Sequence, residues 1–531
     1  MEFIGFAYII FFVSTICSGY LQLLCDISLI YPIGLFIGIC VTLTYLYVMN
    51  ATKNIYMISG IGLIIIFFVA TMTYDFSFDG QWYHMDAIKL LSNGWNFYYE
   101  AEQVLNDSIW ITCYAKATWI WGALLYCVTG NLQTAKSYHL LLMVANLFLI
   151  YPLIKNKYKY LIAILLVVNP VSLGMIFSTY LDDVVYELGL SLILVYCYLR
   201  RNYTNSNMVW LTMCMITCVL INIKFTALAY VGIIWFGVVV DCFNRDRTIL
   251  KNSIINGIVA IAMGLFIFGY NPYITNFVNY GHPFFPIQGE NNLYKNVMAG
   301  TGAQGTFATQ NRFEKLAQVT FSKCSNDVIT SPQDIEYKLP GCIYKDEARG
   351  LISVSARRSG FGVWFSLALV ISFFSLGYLL YKKSFQGIWA WTFLLIAISV
   401  AINPECWVAR YVPQMAILPV IVTIMLLQVE DIRAHVMGKI LATVLVLNLC
   451  FLLLGSVSIQ IRDEYRNYSL IKKLQHVEMV DVYTDGFFNS TLETFFEKNN
   501  ITYRIIDSEP TATAIKLPGA AHEHIAVDYV H

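Results

Sequence analysis

The sequence predicts an all-α polytopic membrane protein of about 13 spans, followed by a small C-terminal α/β module. Three observations carry this. The chain has 531 residues, of which 58% are hydrophobic and only 13% charged, and its mean hydropathy is +0.60. Apolar runs of about 20 residues, the length that crosses a hydrocarbon core, recur along it. From about residue 460 the pattern changes to short alternating segments typical of a soluble fold.

The apolar runs lie at 3–24, 28–49, 55–73, 134–154, 160–178, 183–200, 207–223, 226–241, 251–270, 361–381, 385–402, 411–428 and 436–457. The start, MEFIGFAYII, lacks a basic n-region and a small-residue cleavage site, so it reads as a retained first span. The segment 109–128 is decided by the positive-inside rule. Read as a re-entrant or interfacial piece, it leaves Lys53, the KNKYK cluster at 155–159, Arg200 and Arg201 on one side. Arg245 to Lys251, Lys382 and Lys383, and Arg433 to Lys439 join them there. The run 207–241 is too long for one crossing and divides at Lys224, because a lysine costs less at a helix junction than at mid-bilayer. The N-terminus is then inside, and the active face and C-terminus are extracytoplasmic. Domain boundaries follow: 1–458 transmembrane, with outer loops 74–133 and 271–360, and 459–531 a soluble α/β module. In the module VEMVDVY reads as a strand, STLETFFEKNN as a helix and TYRIID as a second strand.

The 34 basic residues balance 34 acidic ones and form no basic arm, so nucleic acid is not an expected partner. No P-loop, dinucleotide fingerprint, HExxH or CxxC pair is present, which argues against the common nucleotide enzymes and zinc proteases. Most of the 13 cysteines sit in apolar runs, but Cys324 and Cys342 share one long polar loop, where a disulfide is expected if the loop is extracytoplasmic. His522 and His524 in the tail read as exposed polar residues rather than metal ligands.

Chemistry concentrates in YDFSFDGQWYHMDAIKLLSNGWNFYY at 74–99. Between Gly80 and Gly94 the spacing of Trp82, Met85, Ile88 and Leu91 predicts an amphipathic helix, with Asp79, Tyr83 and Asp86 on its opposite face. A carboxylate within hydrogen-bond reach is what a hydroxyl acceptor needs as general base, and Asp75 and Asp79 open this loop. Asp182 and Asp183 open another, although acids there also suit a helix N-terminus. Lys224 and Arg410 are isolated cations at membrane–water boundaries, suited to a phosphate headgroup, with a partner acid such as Glu405 as the alternative for Arg410. Arg357 and Arg358 read as a flank of the next span. The aromatic stretch 271–289, with His282, suits sugar rings or a membrane interface.

These residues and their order resemble the GT-C superfamily of integral-membrane glycosyltransferases, which includes protein O-mannosyltransferases and aminoarabinose transferases. Asp79-Gly80-Gln81-Trp82-Tyr83 is similar to the family's D-E-x-x-Y motif, with Gly80 in place of the second acid. SNGWN at 92–96, Asp182 and Asp183, KFT at 224–226, the GHPFFP turn at 281–286 and ARYVPQ at 409–414 are similar to further elements. Three spans precede the acidic loop where the family typically has one, Gly80 leaves a divalent metal unsupported, and the WWDYG signature is absent. The resemblance implies sugar transfer from a polyprenyl-phosphate donor to an envelope glycan or lipid acceptor, with inversion and without a cofactor. It implies Asp79, Asp75, Asp182 and Asp183 as catalytic residues. Tyr83, His84, Asp86, Lys224, His282 and Arg410 would bind substrate. A bacterial inner membrane is the expected location. A polysaccharide polymerase or ligase and a lipid-linked glycan flippase are the alternatives.

Overall fold

The computed structural model describes residues 1–531 except 101–108, 155–156, 202–205, 246, 290–302, 346, 348–357, 485–488, 512–513, 520–524 and 531. His522, His524 and Arg357 therefore lie outside the described residues. The helices in chain order are α1 (Glu2–Leu24), α2 (Ile33–Val48), α3 (Lys53–Met72), α4 (Met85–Ser92), α5 (Ile109–Cys113), α6 (Ala117–Thr129) and α7 (Ser137–Ile150). They continue with α8 (Lys159–Val167), α9 (Pro170–Met175), α10 (Asp182–Arg200), α11 (Ser206–Ile221), α12 (Ala227–Arg245) and α13 (Leu250–Met263). Next come three short helices, α14 (Thr275–Tyr280), α15 (Gly305–Ala308) and α16 (Arg312–Thr320). The last five are α17 (Phe365–Tyr381), α18 (Gly387–Ile402), α19 (Ile417–Gln428), α20 (Ile432–Leu474) and α21 (Asn489–Phe495).

Every apolar run folds as helix, and among the described residues six helices are long and apolar enough to cross a membrane. Helix α1 is apolar all round and is the buried post of the bundle, packed against α2, α6, α7 and α11. Its crossing with α2 is close because Gly34 and Gly38, one turn apart, face Gly19 and Thr15; a Cβ at Gly34 would stand 2.8 Å from the Gly19 nitrogen. Helices α3, α13, α17 and α18 instead expose Phe68, Ile258, Phe373, Phe374 and Trp391, as a lipid-facing rim does.

Two expectations change, and the segment 109–128 keeps its reading as a piece that does not cross. The run 160–178 is not one helix: it breaks before Pro170, where the Asn169 side chain accepts from the Val171 amide and caps α9. The segment 109–128 is divided at Tyr114–Lys116, and α6, at 13 residues, reaches only about 20 Å, short of a crossing. The boundary at 459 is not a break either. Helix α20 runs for 43 residues, about 65 Å, and leads without interruption into the module.

Beyond α20 the module forms a four-stranded sheet of order β2-β1-β4-β3, built from β1 (Met479–Thr484), β2 (Tyr503–Ile505), β3 (Ile515–Lys516) and β4 (Ile525–Val530). β1 is parallel to β2 and antiparallel to β4. Val480, Val482, Phe495, Phe496 and Val527 form its core, closed by Leu470 and Leu474 of α20. Phe78 and Trp82 of the acidic loop pack onto the same core.

Candidate functional site

The loop after α3 is tied down at Tyr74 before it reaches the site. The Tyr74 carbonyl accepts from Gln460 at 2.7 Å, and the Tyr74 amide donates to Glu464, both on α20. Asp75 is fully buried. One carboxylate oxygen accepts from the Ser77 amide at 2.8 Å; the other accepts from both the amide and the hydroxyl of Thr179, each at 2.8 Å. Asp75 therefore fastens two loops together and is corrected from candidate base to anchor. Gly80 lies against this knot. A Cβ there would come within 2.3 Å of Asp75, 2.4 Å of Ser77 and 2.7 Å of Thr179, so no second acid fits beside Asp79.

Gly80–His84 forms one π-helical turn before α4. The wide turn changes the side-chain phase, so the face expected to carry Asp79, Tyr83 and Asp86 divides. Asp86 turns away to accept from the Ser490 amide at 2.8 Å, at the start of α21. His84 is buried, and its Nδ1 accepts from the Trp119 indole at 2.7 Å. Burial, with the charges of Lys224 and Arg410 adding to it, pushes its pKa down to about 3, so it is a neutral acceptor. The Tyr83 ring is near-parallel to Trp110 and tilted against His84.

Asp79 stays partly exposed. Its carboxylate is 3.6 Å from Arg410, with side-chain exposures of 24% and 21% respectively. The Arg410 guanidinium lies 5.2 Å over the Tyr180 ring and 5.0 Å over Tyr411, whose hydroxyl it also meets at 3.2 Å. Lys224 pairs with Asp182 and sits 4.6 Å from the centre of the same Tyr411 ring. Two carboxylates and two cations thus share one partly solvated cluster framed by tyrosines. Burial raises the Asp79 pKa above the usual aspartate range, and the nearby Arg410 works against that rise. Glu405 is not the partner of Arg410; it accepts from the Trp407 indole at 2.6 Å.

Four separate segments meet here: the acidic loop, the turn before α10, the Lys224 junction and the 403–411 segment. Asp183 does not join them. It points into the bundle, 1% exposed, with His139 of α7 at 2.5 Å. His282 caps its own turn by accepting from the Phe284 amide at 3.1 Å. Arg358 is buried and donates to the Asp334 carbonyl at 3.0 Å, a support inside the long loop. Cys324 and Cys342 are both free thiols, correcting the expected disulfide: Cys324 is buried against Val363, while Cys342 is exposed.

Sequence reasoning missed Tyr180, Tyr411, Thr179 and His139. The two tyrosines are direct neighbours of Asp182's turn and of Arg410, and His139 is an ionisable residue inside an apolar run, which is a signal in itself. Lys116 was missed as well. It is buried, donates to the Thr112 and Tyr114 carbonyls and to Asn271 at 2.5–3.0 Å, and so ties the divided segment 109–129 to the 271–289 stretch. The chain matches no family model, no curated protein and no solved structure.

Proposed function

We propose that this chain is a membrane glycosyltransferase of the GT-C type, transferring a sugar from a polyprenyl-phosphate donor to a glycan or lipid acceptor on the outer face of a bacterial inner membrane. The observation that carries the reading is the placement of Asp79 beside Arg410, with Lys224 next to them, in one partly solvated cluster. Asp79 takes the proton of an acceptor hydroxyl as that oxygen attacks the anomeric carbon. The bond from that carbon to the phosphate oxygen breaks, and the lipid phosphate leaves with the electron pair against Arg410 and Lys224. Both cations hold acids in this structure. At 3.6 Å the Arg410–Asp79 contact is longer than a hydrogen bond, so a phosphate competes for the guanidinium readily.

The test is purified protein with a radiolabelled polyprenyl-phosphate sugar and an envelope acceptor. Transfer that falls about 100- to 10,000-fold in Asp79→Asn supports the reading. Movement of the lipid across a bilayer without transfer would assign a carrier instead, and normal transfer by Asp79→Asn would remove Asp79 from the chemistry.

A further inference from the structure

Within the turn Ser178–Asp183, Thr179, Tyr180 and Asp182 each join a different wall of the site. Thr179 grips Asp75 with two hydrogen bonds. Tyr180 lies under Arg410. Asp182 pairs with Lys224. The two ends of this turn converge on one side chain. His139 Nε2 meets the Ser178 carbonyl at 2.6 Å, and His139 Nδ1 meets Asp183 Oδ2 at 2.5 Å. His139 is 0% exposed at its side chain and stands on α7, a different helix from the turn.

The carbonyl settles the protons. A carbonyl oxygen only accepts, so Nε2 carries a hydrogen and donates it to Ser178. Nδ1 and Oδ2, at 2.5 Å, then share one more proton between them, whichever atom it rests on. The pair is neutral in sum in both forms. A fixed negative charge at Asp183 is thus not what the geometry uses; it uses a hydrogen bond at that position.

We propose that His139 is a positioning residue, which staples the two ends of the Ser178–Asp183 turn and so sets where Tyr180 and Asp182 present Arg410 and Lys224 to Asp79, and that Asp183 serves the staple rather than the reaction. The functional half of this rests on the transferase reading above; the structural half does not.

Two variants and two readouts test it. Asp183→Asn supplies an amide N–H to His139 Nδ1 and keeps the staple without the acid. His139→Leu with Asp183→Leu removes the imidazole and the carboxylate together, so neither is left facing an apolar neighbour; only the Ser178 carbonyl loses its donor, which is milder to stability than stranding the carboxylate as well. The first readout is hydrogen–deuterium exchange of residues 176–183, which needs no substrate. The second is kcat and KM for transfer. Asp183→Asn is expected to keep wild-type protection and a kcat within about threefold of wild type, because the hydrogen bond is retained. The double leucine variant is expected to exchange at least about tenfold faster in this segment alone. Its kcat should drop about 100-fold, the usual scale for a reacting group displaced by about 1 Å, with little change in KM. Loss of transfer or protection in Asp183→Asn overturns the proposal, since charge would then be the requirement. So does a folded double leucine variant that keeps both. If the double variant does not fold, Asp183→Asn alone decides. If the wild type transfers no sugar at all, the transferase reading fails, and the exchange data still judge the staple.

Discussion

Asp75 and Asp79 are four residues apart and chemically identical, yet the structure gives them opposite tasks. Asp75 spends its lone pairs on three donors, while Asp79 keeps a carboxylate partly open to solvent beside a cation. Asp75→Asn places an amide N–H against at least one of those donors. It should cost about 1–3 kcal/mol and lower the thermal unfolding midpoint in detergent, whereas Asp79→Asn should leave that midpoint nearly unchanged. Equal stability for the two variants would contradict the anchor role. The pH dependence follows from the direction of the Asp79 shift. Asp79 in the proposed role of base acts only when ionised, and burial raises its pKa, so the proposed transfer should rise with pH along a limb lying above the range of an ordinary aspartate. Arg410 opposes that rise, so Arg410→Gln should move the limb further toward alkaline pH, as read from kcat/KM against pH. A limb that moves toward acid would separate Asp79 from Arg410.

At the scale of elements, the module is part of the site's outer wall. Helix α21 sits over the π-turn: its Thr491 hydroxyl donates to the Gln81 carbonyl at 3.2 Å, its Ser490 amide donates to Asp86, and Glu493 pairs with Lys89 of α4. Lys498, just after it, donates to the Gly130 carbonyl at 2.9 Å. These contacts press Phe78 and Trp82, which flank Asp79 and Gly80, onto the module's core. Glu493→Lys sets like charges opposite each other and should weaken docking by about 0.5–1 kcal/mol. Limited proteolysis after α20 should then cut faster, and the double swap with Lys89→Glu should restore resistance. Cleavage unchanged by the single reversal would show that the apolar contact alone holds the module.

For the whole molecule, polarity separates by end. Arg200 pairs with Asp241 at 3.1 Å, Arg201 donates to the Pro152 and Leu153 carbonyls, and Lys382 pairs with Asp431 at 3.3 Å. The acidic loop, the Lys224 junction, Arg410 and the module meet one another in a separate group. Module and acidic loop touch, so they lie on one side of any membrane the helices cross. With the basic clusters inside, a fluorescent reporter that matures only in the cytoplasm, fused after His531, should be dark. A bright fusion would place the charge cluster on the cytoplasmic face and reverse the proposed orientation.

The helical runs, the division at Lys224, the first two of the tail's four strands and the loops where charged side chains gather were legible in the residues alone, because hydropathy, period and turn chemistry act over a few neighbours. The choice between Asp75 and Asp79 was not: Thr179, 104 positions away, decides it by donating twice to one of them. Asp86 was claimed by a helix 404 positions on, and Asp183 by a histidine on another helix. Cys324 and Cys342 share a loop but not a bond, since one is held in a core and the other is left in the open. Which polar atom finds which partner depends on how helices pack, and packing brings together residues whose distance along the chain carries no trace of the contact.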